Sequence, residues 1–111
     1  MKVDWKERKR FRRVWLRALR TTTEKQGRRK LGDTVSGFCC LGLGCAVNKI
    51  LYIPGNGLLN DAQAFRLGLR RRAVNKLANL NDHNRLSFKT IARIITEDPN
   101  TYFIQEPTDA R

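Results

Sequence analysis

Apolar residues follow helical spacings at several places in this chain and crowd together at one. Phe11, Val14, Trp15, Ala18 and Leu19 fall at i, i+3, i+4, i+7 and i+8, a single stripe that predicts a helix over residues 2–20. No proline or glycine interrupts that segment, and Trp15 and Leu19 are the residues expected to dock it. Its first turns, within residues 1–10, are expected to fray. Thr21-Thr22-Thr23 and Gln26-Gly27 break the helix, Arg28-Arg29-Lys30 follow in a loop, and Gly32-Asp33 and Ser36-Gly37 are turn signals. Phe38-Cys39-Cys40-Leu41-Gly42-Leu43-Gly44-Cys45-Ala46-Val47 is uncharged throughout. Contiguous apolar residues do not separate a buried helix from a buried strand. The length of the run and its small residues favour a helix from about Phe38 to Lys49, with Gly42 and Gly44 permitting close backbone approach.

Further on, Leu51 to Gly57 predicts an extended piece ending in a turn, because proline disfavours helix before it and Gly-Asn-Gly favours reversal. Asn60 or Asp61 is placed to cap a short helix with Ala64, Phe65 and Leu67, stopped near Gly68. Residues 70–80 predict another helix through Val74, Leu77 and Ala78, followed by a polar loop over Asn81 to Arg85. Ser87 is the expected N-cap of a helix from Phe88 to about Thr96, which Pro99-Asn100 ends. Tyr102, Phe103 and Ile104 are expected to dock as a short strand, with residues 105–111 as a trailing tail. The reading is mainly α: one small helical domain over residues 1–111, of about four to five helices, with a short β-hairpin or extended segment.

Charge adds what periodicity does not. The 111 residues carry 23 Lys and Arg against 10 acids, a net charge of +13. It is uneven: residues 1–30 are net +10, 31–65 net −1, 66–93 net +7, and 94–111 net −3. Two basic blocks around a neutral one suggest a surface for a polyanion, since such charge otherwise leaves the fold with uncompensated self-repulsion. Residues 70–72, all arginine, sharpen this. Cations at a helix start oppose the macrodipole, so a local rule is broken without structural gain.

The order Trp15-Leu16-Arg17-Ala18-Leu19-Arg20, Lys25-Gln26-Gly27-Arg28, Gly37-Phe38-Cys39-Cys40-Leu41-Gly42 with Cys45, Leu80-Asn81-Asp82 and Ser87-Phe88-Lys89-Thr90-Ile91-Ala92 resembles a family of small proteins encoded by tailed bacteriophages. The Phe-Cys-Cys-Leu-Gly string is its most specific part. The chain departs from the family pattern in its long basic start and short middle. The resemblance implies a phage-encoded accessory protein of the host cytoplasm and brings no enzymatic chemistry with it.

Catalytic and metal readings find little support in the residues themselves. Cys39, Cys40, Cys45 and the lone His83 lack a Cys-x2-Cys spacing, and neighbours on a helix point about 100° apart, so one tetrahedral ion is poorly served. An odd number of cysteines, two adjacent, suggests buried thiols in a reducing compartment rather than a disulfide framework. No base lies near them in sequence, the carboxylates are scattered, and Gly42-Leu43-Gly44 lacks the lysine and hydroxyl of a phosphate loop. The first 20 residues hold no apolar segment of secretory type, and the run at 35–47 is too short to span a bilayer. No enzyme, no cofactor and no membrane partner are expected. The two helices around Asn81–Leu86 are joined by too long a connection for a helix-turn-helix, so they are read as an αα-hairpin that closes the core.

The expected activity is electrostatic binding of nucleic acid, DNA or RNA, through backbone phosphates. The residues assigned to it are Arg10, Arg12, Arg13, Arg17, Arg20, Arg28, Arg29 and Lys30, with Arg70, Arg71 and Arg72 as a second patch. The alternative is a protein-interaction module that binds and inhibits or redirects a host enzyme or defence complex.

Overall fold

The structure, a computed structural model, describes residues 4–106. It is mainly helical, with a small two-stranded hairpin. The described residues form helices α1 (Trp5–Thr21), α2 (Cys40–Val47), α3 (Asp61–Leu67), α4 (Arg71–Asp82), α5 (Phe88–Glu97) and the single turn α6 (Pro99–Tyr102). Strands β1 (Gly32–Asp33) and β2 (Gly37–Phe38) pair antiparallel between α1 and α2. The tail expected from residue 107 onward lies outside the described residues.

Local chemistry accounts for most helix ends. Asp4 caps α1 by accepting from the Glu7 amide at 3.0 Å, so the turns expected to fray are ordered from Trp5 onward. Asn60 and Gln63 form a reciprocal capping box on α3, and Gly68 ends that helix at φ +74°. Ser87 caps α5 as its sequence suggests. α4 starts at Arg71 without any side-chain cap, its Arg70 N-cap leaving the amides open.

The uncharged stretch is divided between two elements. Phe38 belongs to β2, Cys39 is the N-cap of α2, and the helix ends at Val47, with Lys49 in left-handed backbone at φ 57°. The expected helix from Phe38 to Lys49 is therefore too long at both ends. Pairing draws the first part into the hairpin: Gly32 faces Phe38, and Phe38 also bridges to Gln26. What remains is α2, the central helix, buried from Cys40 to Cys45 between α1, α3, α4 and the hairpin.

Both glycines of α2 are contact points. A Cβ on Gly42 would fall 1.9 Å from the Leu31 carbonyl oxygen, so hairpin and helix meet main chain to main chain. A Cβ on Gly44 would come within 3.0 Å of Trp15 Nε1. Trp15 is fully buried, and its indole N–H donates to the Cys40 carbonyl at 2.8 Å. The partner is needed, because a buried indole donor left unpaired would cost about 1–3 kcal/mol.

Two further expectations are corrected. Asn81 and Asp82 are the last residues of α4 rather than loop. Pro99 does not merely end α5; it opens α6, where proline at the first helical position loses no hydrogen bond. Tyr102 consequently sits in that turn, and only Phe103 keeps strand character, through a single bridge to Leu69.

Candidate nucleic-acid interface

Because α1 buries Phe11, Trp15, Leu16 and Leu19, helical geometry sends Arg10, Arg13, Arg17 and Arg20 to the opposite side, where all four are exposed. Among the described residues none of the four has a carboxylate within ion-pairing distance. Arg20 donates to the Thr96 hydroxyl at 2.7 Å, which ties the end of the row to α5. Arg12 differs from its neighbours: it is half-buried, and its guanidinium lies 4.3 Å from the centre of the Phe103 ring. It stands at the edge of the open face, in a groove of about 400 Å³ lined also by Lys9, Arg13, Leu16 and Arg20.

The second patch is assembled at the start of α4. Arg70, Arg71, Arg72, Lys76 and Thr101 line a cleft of about 440 Å³. Arg70 is held against α6, its amide donating to Tyr102 O at 2.9 Å and its Nε to Asn100 O at 2.8 Å. Arg71 is paired with Asp61 at 3.1 Å, both side chains highly exposed, so the pair is weak and screened. Arg72 has no such partner among the described residues.

These two patches meet the same short segment from either side, since Arg12 stacks on Phe103 and Arg70 bonds Asn100. That segment carries acids. Glu106 takes Lys9 at 2.9 Å, Glu97 lies 3.8 Å from Arg93, and Asp98 accepts from the Thr101 hydroxyl. The negative balance at the end of the sequence is thus placed beside the positive surfaces.

Arg28, Arg29 and Lys30 lie away from the second patch. Their loop lies at the far end of α4, where the Arg29 amide donates to Asp82 Oδ1 at 2.9 Å. Twelve residues of helix, about 18 Å, separate that end from Arg71. Arg28 is half-buried, its Nε enclosed and without a hydrogen-bond partner among the described residues, whereas Arg29 and Lys30 are exposed. Arg29 adopts φ 70°, a left-handed conformation that its bond to Asp82 supports.

The thiols are enclosed. Burial pushes Cys39 up to about 11 and Cys45 to about 12, and raises Cys40 well above its ordinary value. Cys39 Sγ accepts from the Gly42 amide, and Cys40 Sγ donates to Leu77 O. His83 is exposed at the end of α4. Among the described residues no group of three or more His, Cys, Asp or Glu side chains is placed to hold a metal ion. Among the described residues no helix is long and apolar enough to cross a membrane.

Sequence reasoning missed two buried polar residues. Asn81 continues the α4 stripe of Val74 and Leu77 at i+7 and i+4, and Arg8 precedes Phe11 and Trp15 at i+3 and i+7. That periodicity was the available signal in both cases. No protein-family model, no curated protein and no solved structure matches this chain.

Proposed function

We propose that this is a small basic accessory protein, of the kind tailed phages make in the host cytoplasm, that binds nucleic acid through backbone phosphates. The observation that carries the reading is the row of exposed, acid-free guanidiniums along α1. Arg10, Arg13, Arg17 and Arg20 rise about 15 Å along the helix, a length over which duplex DNA presents several phosphates. The cleft of Arg70, Arg72 and Lys76 supports the same reading as a second contact. Three enclosed thiols and an isolated histidine favour a non-enzymatic role.

Binding of labelled duplex and single-stranded oligonucleotides across a salt series tests this. Four phosphate contacts on a duplex predict a slope of log K against log salt near −3.6, roughly −0.9 per contact. Absence of binding at low salt, or a flat salt response, overturns the reading.

A second reading, a module that captures a host protein, has its own observation. Val35, Leu51 and Ile53 are 85%, 90% and 64% exposed. They lie on neighbouring loops, joined by the Gly32 amide donating to Pro54 O at 2.9 Å. Exposed apolar side chains on adjoining loops suit a protein contact. Co-purification from nuclease-treated host lysate separates the two readings: a stoichiometric protein that survives nuclease favours the second.

A further inference from the structure

Arg8 lies on the inward side of α1 and is only 7% exposed. Its Nε donates to Phe65 O at 2.9 Å, and its guanidinium carbon sits 4.3 Å from the Phe65 ring centre and 5.0 Å from that of Trp5. Nη2 is enclosed and has no hydrogen-bond partner among the described residues. No carboxylate of those residues pairs with it either, the nearby Glu7 being taken by Arg66 at 3.3 Å. Burial lowers the Arg8 pKa, yet a guanidinium keeps its proton at any physiological pH, so the charge remains without a counter-charge.

This side chain forms part of the wall of a cavity of about 320 Å³, with Trp5, Lys9, Arg12, Gly68 and Phe103. The Arg8 stem lies across Gly68, whose absent Cβ would sit 3.4 Å from Arg8 Cδ. Three cations therefore face one acid of the wall, Glu106, and Lys9 already takes that acid at 2.9 Å. Arg8 and Arg12 are left with a double positive charge, Arg8 against the Trp5 and Phe65 rings and Arg12 against that of Phe103. A carboxylate would balance half of it. A phosphate monoester brings about −1.5 to −2 charges at neutral pH and three acceptor oxygens, which the Arg12 guanidinium can bond and the Arg8 charge attract.

We infer that this cavity is a binding site for a phosphate monoester, held by Arg8 and Arg12. The nucleic-acid reading supplies one source, the terminal phosphate of a strand. Lys9 and Arg12 line both this cavity and the α1 groove, so a strand on the groove can bring its end here. Free monoesters and inorganic phosphate are the other source. The inference rests on the proposed function only for that choice of source.

Two measurements on the full chain test it. Thermal unfolding is compared in inorganic phosphate and in acetate at matched ionic strength. Anisotropy then compares oligonucleotides that differ only in a terminal phosphate or hydroxyl. Phosphate should raise the midpoint where acetate does not, and the phosphorylated strand should bind roughly tenfold more tightly, the size of one charge-assisted contact. Both effects should disappear in Arg8→Met, which keeps the packing and removes the charge, and in Arg12→Gln. Arg12 is half-buried rather than enclosed, so its variant keeps the test available if Arg8→Met fails to fold.

Stabilisation by phosphate without any oligonucleotide binding supports the site and overturns the nucleic-acid reading. Salt-dependent binding that ignores the terminal phosphate, with no stabilisation by phosphate, does the reverse. Equal stabilisation of wild type and both variants overturns the site.

Discussion

Asn81 and Arg8 are the two buried polar or charged residues among those described, and they are treated in opposite ways. Asn81 closes a node. Its Oδ1 accepts from the Gln26 side chain at 2.8 Å and from the Cys40 amide at 3.1 Å, and its Nδ2 donates to Gly27 O and Asp82 Oδ1 at 2.9 and 2.8 Å. Arg8 has one hydrogen bond, two aromatic neighbours, an idle donor and a cavity beside it. A saturated buried amide fixes three segments in one arrangement. An unsaturated buried cation stabilises little that a well-packed apolar side chain would not, which sets Arg8 apart from Asn81 and leaves its charge for the proposed phosphate site to balance.

The sharpest way to break this contrast is to remove Asn81. Asn81→Ala leaves the Cys40 amide and the Gly27 carbonyl without partners, and at about 1–3 kcal/mol for each stranded group the loss should reach roughly 3 kcal/mol in urea unfolding. A loss below 1 kcal/mol would mean the node is dispensable. Alkaline pH tests the same interior. The Cys39 thiol has an ordinary value of 9.0 and is raised by burial to about 11, so the unfolded chain sheds its proton first. Stability should therefore fall as pH climbs from 9.0 toward 11, seen as a lower urea midpoint at the upper end.

Arg8→Met should do far less, within about 1 kcal/mol of wild type in either direction, since the packing is retained and the uncompensated charge removed. If it costs as much as Asn81→Ala, Arg8 is a structural lock after all. At the surface the effect on stability should be least. Arg13→Gln and Arg17→Gln are expected to change stability by less than about 0.5 kcal/mol, while each lowers the salt slope of oligonucleotide binding by roughly one.

What the sequence made legible follows the range of the interactions. Caps at Asn60 and Ser87, the stop at Gly68 and the stripe of α1 depend on neighbours within one or two turns, and they are where the residues place them. The division of the cysteine-rich stretch depends on Leu31 and Gln26, and the burial of Asn81 on Gly27 and Cys40, contacts that no local pattern encodes. The candidate site divides in the same way. Arg10, Arg13, Arg17 and Arg20 share a face because a helix imposes it. How far Arg28 is buried, and that Arg12 and Arg70 both reach the segment from Asn100 to Phe103, depends on how α4 and α6 pack. Asn81 sits on an apolar stripe yet reads as loop, because its amide outweighs its position, and the place of Arg8 on the α1 stripe is legible only from its spacing to Phe11 and Trp15.

The fit of Gly42 against Leu31 also bears on how the chain closes on itself. The contact joins residues near in sequence, whereas the Asn81 bonds to Cys40 and Gly27 span 41 and 54 positions. Loop entropy grows with the logarithm of length, about 0.6 kcal/mol for each doubling, so the short closure starts with roughly 1 kcal/mol in its favour. It also needs no side chain to find a rotamer, being main chain against main chain. The hairpin and α2 are thus the part of the core that can assemble from adjacent sequence alone, and the distant helix then arrives at a partner already shaped to receive it.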